Sequence, residues 1–154
     1  MTGRNLACAN KKARLEYDVQ ETFEAGIALQ GTEVKALREG RGNLQDGYAK
    51  VEGEEVFLYN FHIGSYSHAR QFNHEPLRRK RLLLHKREIR RLMGKTIERG
   101  MTLVPLKVYF TRGLAKVELG LAKGKKLYDR REESRRQEAR REIERALRER
   151  QKQG

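Results

Sequence analysis

The chain has 154 residues, with 35 Lys and Arg against 21 Asp and Glu, a formal net charge of +14. That length supports one core and a tail, and the charge favours a polyanionic partner over a small metabolite. No apolar run approaches the roughly 20 residues of a membrane-spanning helix, no apolar segment of signal-peptide type follows Met1, and one cysteine, Cys8, excludes an intrachain disulfide and points to a reducing, cytoplasmic setting.

Residues 1–16 read as a flexible basic arm. Beyond them Tyr17, Val19, Phe23, Ile27 and Leu29 alternate around Gly26, which predicts a long, bent or bulged strand closed by Gly31. Residues 32–40 read as a short helix, with Thr32 as cap, Val34 and Leu37 three apart, and Gly40 as stop. Residues 43–51 and 55–61 read as strands joined by a tight turn at 52–54. In the second, Val56, Leu58 and Asn60 take one side and Phe57, Tyr59 and Phe61 the other. Apolar mass on both sides suits a central strand or one curled into a closed sheet.

Gly64, Ser65, Ser67, Asn73 and Pro76 punctuate an irregular loop over 64–80. A helix follows to about Arg99, its stripe formed by Ile89, Leu92, Met93 and Ile97. Val104, Leu106, Val108 and Phe110 alternate, as do Ala115, Val117, Leu119 and Leu121, with a hairpin loop at 111–113. Pro105 fits only an edge or the beginning of its strand. The sum is a mainly β fold with flanking helices: a small antiparallel barrel of the oligonucleotide-binding (OB) type over 17–127.

The charge divides unevenly. Residues 128–154 hold ten basic and seven acidic side chains, net +3, and the preceding 127 residues carry net +11. Between Arg70 and Arg99, eleven basic residues face three acids, with Arg78, Arg79, Lys80 and Arg81 in succession. Such a run predicts a phosphate-binding surface. The tail has only Ala139, Ile143, Ala146 and Leu147 as aliphatic residues after Asp129. Its i, i+4 pairs Glu132–Arg136 and Glu144–Arg148 contribute about 0.2–0.5 kcal/mol each. It is expected to be disordered when free and to become helical on a partner.

Catalytic and metal patterns are missing from the sequence. His62, His68, His74 and His85 lack the spacing of ligands on one helical face, and read more simply as surface or RNA-contacting residues. No nucleophile elbow, zinc-protease helix or phosphate loop is present. The expectation is a non-enzyme with no cofactor and no metal. A constitutive ribosomal or general RNA-binding protein is the nearer alternative, and a small histidine-dependent nuclease the more distant one.

Three stretches then carry a resemblance: NKKARLEYDVQETFEAGIALQGTEVKALREGRGNLQDGYAKV over 10–51, FNHEPLRRKRLLLHKREI over 72–89 and GLAKGKKLYDRR over 120–131. Together they resemble the SmpB family, the SsrA-binding proteins of bacterial trans-translation. The resemblance implies an OB-type barrel that binds the tRNA-like domain of transfer-messenger RNA (tmRNA) and delivers it to ribosomes stalled with an empty decoding site. It implies RNA contacts at Glu24, Arg81, Leu83, His85, Lys116, Lys125 and Lys126. Tyr128, Asp129, Arg130 and Arg131 would contact the decoding centre, with Arg130 where the family more usually has Lys. The implied partners are tmRNA, the small-subunit decoding centre and mRNA channel, and elongation factor Tu through aminoacylated tmRNA. The chain would act as a monomer, without a membrane.

Overall fold

The computed structural model describes residues 5–69, 72–124 and 127–153. Nine strands and four helices alternate in it: β1 (Asn5–Ala9), α1 (Ala13–Glu16), β2 (Tyr17–Ile27), α2 (Gly31–Arg38), β3 (Gly42–Asn43), β4 (Tyr48–Glu52), β5 (Glu55–Tyr59), β6 (His62–Ile63), β7 (Lys80–Leu83), α3 (Lys86–Glu98), β8 (Thr102–Thr111), β9 (Leu114–Gly124) and α4 (Leu127–Gln153). Six strands close a ring in the order β8-β4-β5-β7-β2-β9, with β9 returning to pair with β8. The short β3 and β6 pair with each other beside it. All pairings are antiparallel.

The barrel interior holds Val56, Leu58, Val108, Val117 and Leu119, each fully buried. A side chain of this size stabilises a fold by about 1.5–3 kcal/mol when removed from water. A second, smaller cluster lies elsewhere: Val104, Leu106 and Ala122 pack with Ala13, Tyr17 and Val19. The expected single alternation through 104–110 therefore splits in two. A bulge between Pro105 and Lys107 shifts β8 by one residue against β9, so that Val104 and Leu106 join the outer cluster while Val108 and Phe110 enter the barrel. A matching shift lies in β2 between Val19 and Glu21. Pro105 is the fourth residue of a central strand, neither at an edge nor at the strand's beginning as expected, because the bulge is the other place where a ladder tolerates proline.

Three further expectations change. The arm over 1–16 becomes, from Asn5 on, the strand β1 paired with β8 and the helical turn α1. Asn10 anchors the join: its backbone N donates to Leu106 O at 2.8 Å and its side-chain Nδ2 to Pro105 O at 3.1 Å. The cap of α2 is Gln30 rather than Thr32, with the Gln30 N–H donating to Glu33 Oε1 at 2.7 Å. Asn60, at φ 56°, turns the chain after β5, so Phe61 is buried in the core while Phe57 and Tyr59 stay on the outer side.

The hairpins form as their turn residues require. Thr111 pairs with Leu114 across Arg112 and Gly113, whose φ values of 51° and 76° give the left-handed two-residue turn that suits twisted strands. Ile89 and Leu92 seat α3 on the core, but Ile97 is 74% exposed, so the stripe stops short of the helix end. The tail forms the single helix α4, which touches the fold through α1. Ile143 and Leu147 on it remain 62% and 54% exposed.

Candidate nucleic-acid interface

The basic run 78–81 divides: Lys80 is buried, Arg78 half-buried, and Arg79 and Arg81 exposed. Strand alternation sends Lys80 inward, where it is fully buried. Its Nζ donates to Phe61 O and to Arg78 O, both at 2.7 Å, with Glu33 Oε2 3.9 Å away. Burial pushes the Lys80 ammonium down to about 8, opposed by the attraction of Glu33. Glu33, also fully buried, takes a two-pronged contact from Arg78, whose Nη2 lies 2.5 Å from Oε1 and Nε 3.2 Å from Oε2. Arg79 lies over the Phe57 ring at 4.0 Å and donates to Glu52 at 3.1 Å. Arg78 and Lys80 of the expected phosphate-binding run are thus internal fastenings, and Arg79 and Arg81 keep their charge on the surface.

His74 changes in the same way. It is buried, and its ring bridges the Thr32 hydroxyl at 2.9 Å and the Ile63 carbonyl at 2.8 Å. Nε2–H donating to Ile63 and Nδ1 accepting from Thr32 satisfies both nitrogens. One residue earlier, Asn73 exchanges two 3.0 Å bonds with the Tyr66 backbone. The 64–79 loop is therefore tied to α2 and β6, and His74 serves as a structural clasp.

Outward charge also gathers around the start of α3. His85, Lys86, Arg87, Glu88 and Arg90 line an open concavity of about 540 Å³. Farther along the helix, Arg91 donates to Glu21 on β2 at 2.6 Å and holds that carboxyl below its ordinary range.

Beside this lies the face that unites five of the expected contact residues. Glu24 from β2, Arg81 and Leu83 from β7, His85 at the start of α3 and Lys116 from β9 all line one concavity of about 500 Å³. The register explains the convergence. Gly26 is the β2 partner of both Lys116 and Leu83. Cross-strand partners point to the same side, and glycine leaves bare backbone between them. A Cβ there would meet Leu83 Cβ at 3.2 Å. Leu83 is 48% exposed, an apolar side chain held outward by alternation with buried Leu82. Glu24 is exposed and accepts a hydrogen bond from the Tyr109 hydroxyl. Arg81 lies 3.5 Å from Glu55.

The wall of this face mixes signs. Glu24, Glu54, Glu55 and Glu88 share it with Arg81, His85, Lys86 and Lys116. It therefore presents acceptors and donors together, the pattern suited to ribose hydroxyls and base edges. Lys125 and Lys126 lie outside the described residues. Tyr128, Asp129, Arg130 and Arg131 fall in the opening turns of α4. Among the described residues, no group of three or more His, Cys, Asp or Glu is placed to hold a metal ion, and no helix is long and apolar enough to cross a membrane. Tyr109, which donates to Glu24, was not anticipated as a neighbour of this face. The signal was its phase: it falls between Val108 and Phe110, on the outer side of the strand.

Fold and face define a strongly basic, closed β-barrel of the OB type with a mixed-charge concave face. The family model for SmpB protein matches residues 7–149. The chain is 62% identical over 143 residues to the SsrA-binding protein of Geobacillus thermodenitrificans (strain NG80-2), covering 93% of this chain and 92% of that one. It is 62% identical over 141 residues to the SsrA-binding protein of Pelotomaculum thermopropionicum (strain DSM 13744 / JCM 10971 / SI), covering 92% of each. A solved structure described as "tmRNA-SmpB: a journey to the center of the bacterial ribosome" superposes with a TM-score of 0.65 at 51% identity, covering 78% of this chain and 85% of that one. The chain belongs to the SmpB family.

Proposed function

We propose that this protein is an RNA-binding adaptor of trans-translation: it binds the tRNA-like domain of tmRNA and brings that RNA to stalled bacterial ribosomes, without catalysing a reaction itself. The observation that carries the docking site is the convergence of Glu24, Arg81, Leu83, His85 and Lys116 on one concavity. A general polyanion binder needs only a uniformly cationic face. Here carboxylates, cations and an exposed leucine alternate, which suits a partner of defined shape with both donors and acceptors. Membership of the SmpB family and the likeness to a structure named for tmRNA and the ribosome support the same partner.

The tail has a separate task in this reading. The 27-residue helix α4 would span about 40 Å at about 1.5 Å per residue, a length suited to an RNA-walled channel. Tyr128, Asp129, Arg130 and Arg131 would meet the empty decoding centre, and the helix behind them the vacant mRNA channel. Free in solution the tail would be largely disordered, because so little apolar surface anchors it. Lys125 and Lys126 would add phosphate contacts. Elongation factor Tu would join through the aminoacylated RNA, in the cytoplasm where ribosomes work.

The docking site is tested with Lys116→Ala and Leu83→Asn, by titration against the isolated tRNA-like domain and against unstructured RNA of equal length. Each should weaken binding to the tRNA-like domain by about 0.5–3 kcal/mol and leave the unfolding midpoint nearly unchanged. Lys116→Ala should also flatten the salt dependence, since one counterion-releasing contact is gone. Unchanged affinity in both variants would remove this face from the docking site.

A further inference from the structure

We infer that Tyr109 is a positioning residue for RNA docking, acting through Glu24; the inference rests on the docking face proposed above. Tyr109 is 1% exposed, yet it belongs to neither apolar cluster. Its strand neighbours Val108 and Phe110 fill the barrel, so its own side chain leaves the opposite side of β8. Its register partner on β9 is Lys116, whose partner on β2 is Gly26, two residues beyond Glu24. To reach the Glu24 carboxylate, Tyr109 must therefore cross the outer side of β9, and its hydroxyl does donate to Glu24 Oε2.

That bond has a consequence for recognition. Glu24 is exposed on a strand, where a carboxylate samples several rotamers, and fixing such a side chain on binding costs about 0.5–1.5 kcal/mol. A buried phenol on a rigid central strand holds one oxygen in advance. The carboxylate so held lies on the wall of the concavity, where an acceptor can meet ribose hydroxyls or base amines of the RNA. Because Lys116 is the register partner of Tyr109, the two side chains presented to the RNA, one acidic and one basic, are set by the same pair of strands. Phenylalanine would fill the same space without the donor.

The test is a double-mutant cycle of Tyr109→Phe and Glu24→Ala in the full-length chain, read as affinity for the tRNA-like domain, with thermal unfolding in parallel. Tyr109→Phe should weaken binding about 3- to 10-fold, the cost of ordering one side chain on binding. The slope of affinity against salt should be unchanged, because no cation is lost. In the Glu24→Ala background, Tyr109→Phe should have no further effect. A purely structural tyrosine would lower the unfolding midpoint and add its loss to that of Glu24→Ala. Full affinity in Tyr109→Phe, or additive losses, overturns the inference while Glu24→Ala still weakens binding. If Glu24→Ala itself binds normally, the docking face has failed and the inference falls with it.

Discussion

Glu33 and Arg78 form an ion pair, and Glu144 and Arg148 stand at ion-pair spacing, yet the two sets occupy opposite environments. In the barrel, Glu33 is fully buried against the forked Arg78 guanidinium, with Lys80 buried beside it. On α4, Glu144 and Arg148 are exposed one helical turn apart. The first pair joins α2 to the approach to β7. The second only biases a helix. One chain thus uses charge both inside a packed body and along an exposed helix, and the net charge of +14 says little about which residues do which.

This contrast predicts a gradient of effects. Glu33→Gln leaves the Lys80 ammonium buried without its opposing charge, and breaking a buried pair typically costs about 3–5 kcal/mol. A urea titration should show that loss with an unchanged slope. A loss below about 1 kcal/mol would mean that the Lys80 and Arg78 contacts with backbone carbonyls suffice alone.

A smaller effect is a dependence on pH. Lys80 titrates near 8 when folded and near 10.5 as a free side chain. Below pH 8 the ammonium is present in both states, and the cost of burying it is felt in full. Between pH 8 and 10.5 the unfolded chain binds more protons than the folded one, so stability rises with pH, by up to about 3 kcal/mol. Lys80→Met should lack this rise relative to the parent protein. Parallel pH profiles would show that the folded ammonium titrates normally.

The least effect belongs to the tail. Glu144→Gln should change the barrel's unfolding midpoint not at all and the helicity of an isolated tail peptide by about 0.2–0.5 kcal/mol of helix propagation. Circular dichroism of the peptide measures it. A shift of the barrel midpoint would contradict the division between body and tail.

Much of the barrel was legible because its signals are local. The hairpins at 52–55 and 111–114 announce themselves by turn residues between alternating strands. What escaped was non-local. β1 gains its pairing from residues about a hundred positions away, and nothing in its own five residues reports that partner. β7 was hidden because Lys80 and Arg81 look like surface charge, and only the ring closure buries one and exposes the other. The bulge at Pro105 reversed the expected facing of Val104 and Leu106 for the same reason: register belongs to the pair of strands. The proposed site residues came from motif resemblance. Their meeting around Gly26 is a property of three strands together, which no single segment carries.

The central claim is that docking belongs to the barrel and ribosome engagement to α4. Its most direct test is the chain ended after Leu127, measured for affinity to the tRNA-like domain and for tagging of stalled peptides in a reconstituted translation system. The account predicts an unchanged unfolding midpoint, affinity close to that of the full chain, and no tagging. Full tagging by the truncated protein would contradict it, as would a collapse of RNA affinity that put the docking surface in the tail.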